Sequence, residues 1–148
     1  MTRQHKPDLS VKFAPRVPQR LRKAVNRICK ACEMPEADVL RYSMEAAALL
    51  AHAGKVRLLR PVGDHTLDAM MTVRTSKAIA KTLREIHERM SQRDRYLLHA
   101  DVLRRCLETM LPVAELRGMG HVLRLREATL AALRSRSSRT GGQTRKSK

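Results

Sequence analysis

Leu9-Ser10-Val11-Lys12-Phe13-Ala14 alternates apolar and polar residues, the period-two signature of a strand with one buried face. Pro15 and Pro18 are expected to stop that strand, and Pro18 suits the first turn of a helix. Leu21, Ala24, Val25, Ile28 and Cys32 then recur at helical spacing, while Arg20, Arg22, Lys23, Arg27 and Lys30 mostly face water. Pro35 breaks the chain. A second helix is predicted from about Glu36 to His52, with Val39, Leu40, Met44, Ala47 and Leu50 inward and Gly54 just past its end. The same order follows again. Met71-Thr72-Val73-Arg74-Thr75-Ser76 reads as a weaker strand, and Ile79, Leu83, Ile86 and Met90 mark a helix. Gln92-Arg93-Asp94-Arg95 is the expected turn. Val102, Leu103, Cys106, Leu107, Met110 and Leu111 mark the next helix, which Pro112 is expected to end. A short amphipathic helix over 121–134 carries Val122, Leu125, Thr129, Ala132 and Leu133 near one side.

The recurrence extends to residue type. Ala37-Asp38-Val39-Leu40-Arg41 returns as Ala100-Asp101-Val102-Leu103-Arg104. With one residue of slippage, Val11-Lys12 falls on Val73-Arg74, Val17 on Ile79, Leu21-Arg22 on Leu83-Arg84 and Arg27-Ile28 on Arg89-Met90. Ser43, Met44 and Ala47 fall on Cys106, Leu107 and Met110. The chain therefore divides into a flexible basic arm (1–8), a first repeat (9–53), a basic linker (54–68), a second repeat (69–112), a C-terminal amphipathic helix (113–134) and a disordered basic tail (135–148).

One strand followed by two short helices cannot fold alone, because its ladder groups would be unpaired and its apolar face wet. Two copies solve both problems. The fold expected is mainly α with a two-stranded antiparallel ribbon, four helices closing over the ribbon's apolar face as a pseudo-dimer within one chain. Leu9, Val11 and Phe13 would then point into the helices with Met71, Val73 and Thr75. The opposite face would carry Ser10, Lys12 and Ala14 beside Thr72, Arg74 and Ser76.

Charge changes the picture. The 148 residues hold 31 Lys and Arg against 14 Asp and Glu, a net +17 spread over both repeats, linker and tail. A polyanion partner follows, since neutralised phosphates release counterions. Aromatics are confined to Phe13, Tyr42 and Tyr96, which disfavours the stacking used on single strands and RNA. A two-stranded ribbon fits the major groove of B-DNA, where Lys or Arg reaches guanine acceptors and Ser or Thr bonds to either partner. Ser10, Lys12, Ala14, Thr72, Arg74 and Ser76 are therefore the candidate base contacts. No apolar run reaches the length of a membrane span, and the first residues lack the apolar core of a signal peptide, so a soluble, cytoplasmic protein is expected.

The order strand, helix, turn, helix, with Ser10, Lys12 and Ala14 alternating outward, resembles the ribbon-helix-helix fold of Arc- and MetJ-type repressors. Two copies in one chain resemble the tandem versions among DNA-transfer accessory proteins, the TraY-like relaxosome factors and the virulence C factor of T-DNA transfer; Val73-Arg74-Thr75-Ser76-Lys77 after a basic linker is similar to the second copy of the latter. The resemblance is one of pattern over residues 9–111. It implies a bacterial, plasmid-associated protein that binds double-stranded DNA in conjugation or as a transcriptional repressor. A relaxase or other DNA-transfer protein would be a further partner, and the chain would be a monomer with an internal pseudo-two-fold able to associate side by side on DNA. It also implies a phosphate clamp at the start of each second helix, near Pro35–Ala37 and His99–Asp101, an anion-binding location. Glu36, Asp38 and Asp101 depart from that pattern. The phosphate contacts are therefore expected instead from Arg16, Lys77, Arg93, Arg95, Lys55, Arg57, Arg60 and the tail. The first helix of the first copy reads as a turn longer than usual.

Enzyme chemistry finds little footing. Six histidines (5, 52, 65, 87, 99, 121) lie in different segments without ligand spacing, and His87 takes the place of Val25 in the repeat, as a core-edge residue would. Cys29-Lys30-Ala31-Cys32 has the spacing of half a zinc site but lies inside a helical pattern with no second pair. No cofactor or metal is expected, and an odd cysteine count argues against a disulfide framework. Two other readings remain. One is an antitoxin or recruitment adaptor whose residues 113–135 fold on a protein partner; the other is a helical RNA-binding protein, which explains the charge but not the two alternating strands.

Overall fold

A computed structural model of the chain describes residues 8–60 and 66–146, with side chains as far as Arg136. Residues 1–7 of the expected arm, 61–65 of the linker and 147–148 of the tail lie outside them. Among the described residues the order is β1 (Val11–Phe13), β2 (Arg16–Val17), α1 (Gln19–Cys32), α2 (Glu36–His52), β3 (Ala69–Met70), β4 (Val73–Thr75), α3 (Lys77–Ser91), α4 (His99–Arg117) and α5 (Met119–Lys146). The protein is mainly helical, with a small antiparallel two-stranded sheet.

β1 pairs with β4, and β2 with β3. The register is the same in both ladders, and the Met71 N–H donates to the Pro15 carbonyl at 3.1 Å between them. Pro15 therefore does not stop the first strand. Proline fixes φ near the extended region and removes only a donor, and each residue before a proline is pushed toward β, so Ala14 and Val17 both favour extension. Pro18 is the N-cap of α1, at φ −63° and ψ 148°, not part of its first turn. α1 has 14 residues against 15 in α3, so the longer first helix expected from the sequence is not found.

α2 lies at the centre of the core. Every residue from Ser43 to Leu50 is buried, because α1, α3, α4, α5 and β4 all pack against this helix. Ala46, Ala47 and Ala48 keep it thin enough for neighbours on all sides to approach closely. α1 runs parallel to α4. Going along the pair, Arg104 donates to the Arg16 carbonyl (3.0 Å), Arg20 grips Glu108 through both terminal nitrogens, and Arg27 reaches Glu115 (3.0 Å).

α4 passes through Pro112, the expected stop, and ends at Gly118, whose φ of +86° only glycine adopts without strain. The Pro112 ring is exposed, while Leu111 and Ala114 on either side are buried with Met110. A proline inside a helix costs about 3 kcal/mol. Burying a leucine and its neighbours returns a comparable amount, so the core holds the helix across the break. α5 is longer than expected, and its backbone stays helical to Lys146 where a disordered tail was expected. Met119, Val122 and Thr129 are buried, which anchors the first part of the helix on the core.

Burial pushes the Cys106 thiol up to about 12, whereas Cys29 and Cys32 are only half-buried. Since the thiolate is the reacting species, two cysteines are expected to react with a disulfide reagent in the folded protein and the third only after denaturation. Three equal rates would contradict the buried position of Cys106.

Candidate nucleic-acid interface

The ribbon presents two different faces because its side chains alternate. Pro15 and Val17 of the first strand are buried, and so are Ala69, Met71, Val73 and Thr75 of the second; Leu9, Val11 and Phe13 are half-buried. The second strand, the weaker by sequence, is thus the more deeply seated. Thr75 is buried without an orphaned hydroxyl, because it donates to the Glu45 carboxylate of α2 at 2.6 Å. Glu45, only 2 % exposed, also accepts from Arg126 Nε of α5 at 2.7 Å, so one carboxylate joins ribbon, central helix and C-terminal helix.

The other face is open. Ser10, Lys12, Ala14 and Arg16 are exposed on the first strand, and Met70, Thr72 and Arg74 on the second. Lys12 stands directly opposite Arg74, and Arg16 opposite Met70. No acid occurs between Leu9 and Cys32 or between Ala69 and Arg84, so this face is cationic without internal neutralisation. Five of the six candidate base contacts are therefore brought together on it. Ser76 is engaged differently: it is the N-cap of α3, half-buried, and its hydroxyl oxygen accepts the Ile79 N–H at 3.2 Å. Met70 was missed, although the same period of two through 70, 72 and 74 indicates it. At 56 % exposure it extends the open face with an apolar side chain.

The candidate phosphate contacts do not form one patch. Arg16 lies on the ribbon's open face, and Lys77 is exposed at the first position of α3. Lys55 is exposed just after α2, and the Arg95 guanidinium lies 5.3 Å from the centre of the exposed Tyr96 ring in the turn before α4. Arg57, Arg60 and Arg93 line a separate cleft, together with Arg89 and Arg105, which the sequence did not single out. Nothing local could have indicated those two, since the cleft is assembled from α3, α4 and the stretch after α2.

The starts of the second helices carry acids, Glu36 and Asp38 at α2 and Asp101 at α4, which oppose an anion there. At α2 the Pro35 carbonyl accepts from the Asp38 and Val39 N–H groups, both at 3.1 Å. At α4 Asp101 accepts the Leu98 N–H at 2.8 Å and pairs with Arg104. Partial burial acts to raise the Asp101 pKa, but the Leu98 N–H and Arg104 outweigh it and hold the carboxyl below its usual range. His87 Nε2 lies 2.7 Å from the Leu97 carbonyl, and its half-buried ring stacks on His99 at 3.8 Å. Among the described residues no group of three His, Cys, Asp or Glu could hold a metal ion, and no helix is long and apolar enough to cross a membrane.

No protein-family model matches this chain, and no curated protein or solved structure matches it either.

Proposed function

We propose that the chain is a tandem ribbon-helix-helix protein that reads duplex DNA in the major groove through the open face of its ribbon. The register carries this reading. When two copies of one strand pair antiparallel, the two-fold passes through the position that faces its own copy. Lys12 corresponds to Arg74 in the repeat and is also its cross-strand partner. A second correspondence supports the duplication: Asp38 pairs with Arg41 three residues on, and Asp101 pairs with Arg104 in the same way. Small hydroxyl and methyl neighbours around the two long cations allow close approach to base edges.

The two halves differ at Phe13, which corresponds to Thr75, and at Glu45, which takes Arg126 of α5 where the corresponding Glu108 takes Arg20 of α1. The site read should accordingly be asymmetric, as suits a transfer-origin accessory or a repressor acting as a single chain. The adaptor reading needs residues 113–135 free to fold on a partner. Met119, Val122 and Thr129 of that segment are buried, with α5 packed on α2 and α4 of the same chain.

Selection from a random duplex pool, followed by fluorescence-anisotropy titration at low and moderate salt, tests the reading. One non-palindromic site should be enriched and should stay bound at a salt concentration that releases a scrambled duplex. Equal binding of both, collapsing together with salt, would reduce the protein to a charge-driven polyanion binder.

A further inference from the structure

The arginine-lined cleft is a different kind of surface from the ribbon. It has a volume of about 610 Å³ and lies between the end of α2, the stretch that follows it, the second half of α3 and the start of α4. Its floor is apolar: Val56, Leu58 and Met90 pack partly buried on the core beside the buried Leu97. The stretch after α2 is anchored, since the Leu59 N–H donates to Thr109 Oγ1 of α4 at 2.8 Å. The concavity is therefore pre-formed, in the size range of small-molecule sites.

Around that floor stand Arg57, Arg60, Arg93 and Arg105, whose guanidinium groups have no hydrogen-bond or ion-pair partner among the described residues, although Arg105 also acts at longer range on Asp101. Arg89 adds a fifth guanidinium, its Nη2 3.2 Å from His52 Nδ1. Among the described residues one acid, Asp94, lines the cleft, and its Oδ1 accepts the Tyr96 N–H at 3.2 Å. Converging like charges repel and gain nothing for the fold, whereas guanidinium forks bind phosphate oxygens in pairs. A duplex presents a convex backbone and cannot occupy an apolar floor of this size. A small molecule can.

We infer that this cleft binds a small phosphorylated molecule with a flat apolar ring, the chemistry of a nucleoside di- or triphosphate: the ring rests on Val56, Leu58 and Met90, and the phosphates face the arginines. The inference does not depend on DNA reading by the ribbon, because it uses none of the ribbon's residues.

Isothermal titration of the full chain at fixed ionic strength, with ATP, adenosine and tripolyphosphate as separate probes, tests it. ATP should bind with one site per chain. Adenosine and tripolyphosphate should each bind at least about tenfold more weakly, as each lacks one half of the recognition. Arg57→Ala/Arg93→Ala replaces two exposed side chains and should weaken ATP about tenfold or more with an unchanged circular-dichroism spectrum. Lys12→Ala/Arg74→Ala should bind ATP like the unaltered protein. Tripolyphosphate binding as tightly as ATP, several ATP per chain, or an undiminished affinity in the Arg57/Arg93 variant would each overturn the site. So would a loss in the Lys12/Arg74 variant, which would mean general attraction to a cationic surface.

Discussion

Lys12→Ala/Arg74→Ala should bind its selected duplex scarcely better than a random one. The two side chains are exposed at facing positions in the middle of the ribbon, so their removal should leave the fold intact. A good bidentate contact to a guanine is worth about 1–3 kcal/mol of discrimination, so loss of two costs roughly 2–6 kcal/mol. Non-specific affinity should survive, because removing 2 of the 31 Lys and Arg leaves 29, and the salt dependence should soften by no more than about two phosphate contacts. Anisotropy titrations of both duplexes over a salt series separate these quantities. Full discrimination in the double variant would move the reading surface away from the ribbon.

Arg126→Met should unfold at markedly lower urea. Glu45 is almost wholly buried, and removing Arg126 leaves its charge with the Thr75 hydroxyl as its remaining hydrogen-bond partner. Breaking a buried pair from one side costs about 3–5 kcal/mol, because the surviving charge is stranded in low dielectric. Combining it with Glu45→Gln should restore part of the loss, since a neutral amide still accepts from Thr75 without an unpaired charge. Replacing Arg27, whose pair with Glu115 is exposed, should matter little by comparison, as water and salt screen it. A single Arg126→Met variant as stable as the unaltered protein would show that α5 is not held through Glu45.

Much of the architecture was legible along the chain because it rests on local periodicity. The period of two through Val11, Lys12 and Phe13 and through Val73, Arg74 and Thr75, and the helical recurrence of Leu21, Val25 and Ile28, are written in neighbouring residues, and a strand and two helices form over each of the two stretches that carry them, whereas β2 and β3 were not expected. Breakers were less dependable. Pro15 was read as the end of a strand and Pro112 as the end of a helix, yet the chain continues through both. A proline removes one donor and restricts one dihedral. Whether an element continues depends on what its neighbours bury, and that is decided by contacts distant in sequence.

What the sequence determined by itself is the alternation that puts Lys12 and Arg74 on a polar strand face, the absence of acids around them, and the cationic surplus. These follow from residue identity and from the geometry of a strand. The tertiary structure alone decided that Lys12 faces Arg74, that Ser76 caps a helix, that α5 is tied through Glu45 to the ribbon, and that arginines from three separate segments surround one cleft. Each of these is a meeting of residues far apart in the chain, fixed by how helices pack around α2, and no local pattern encodes it.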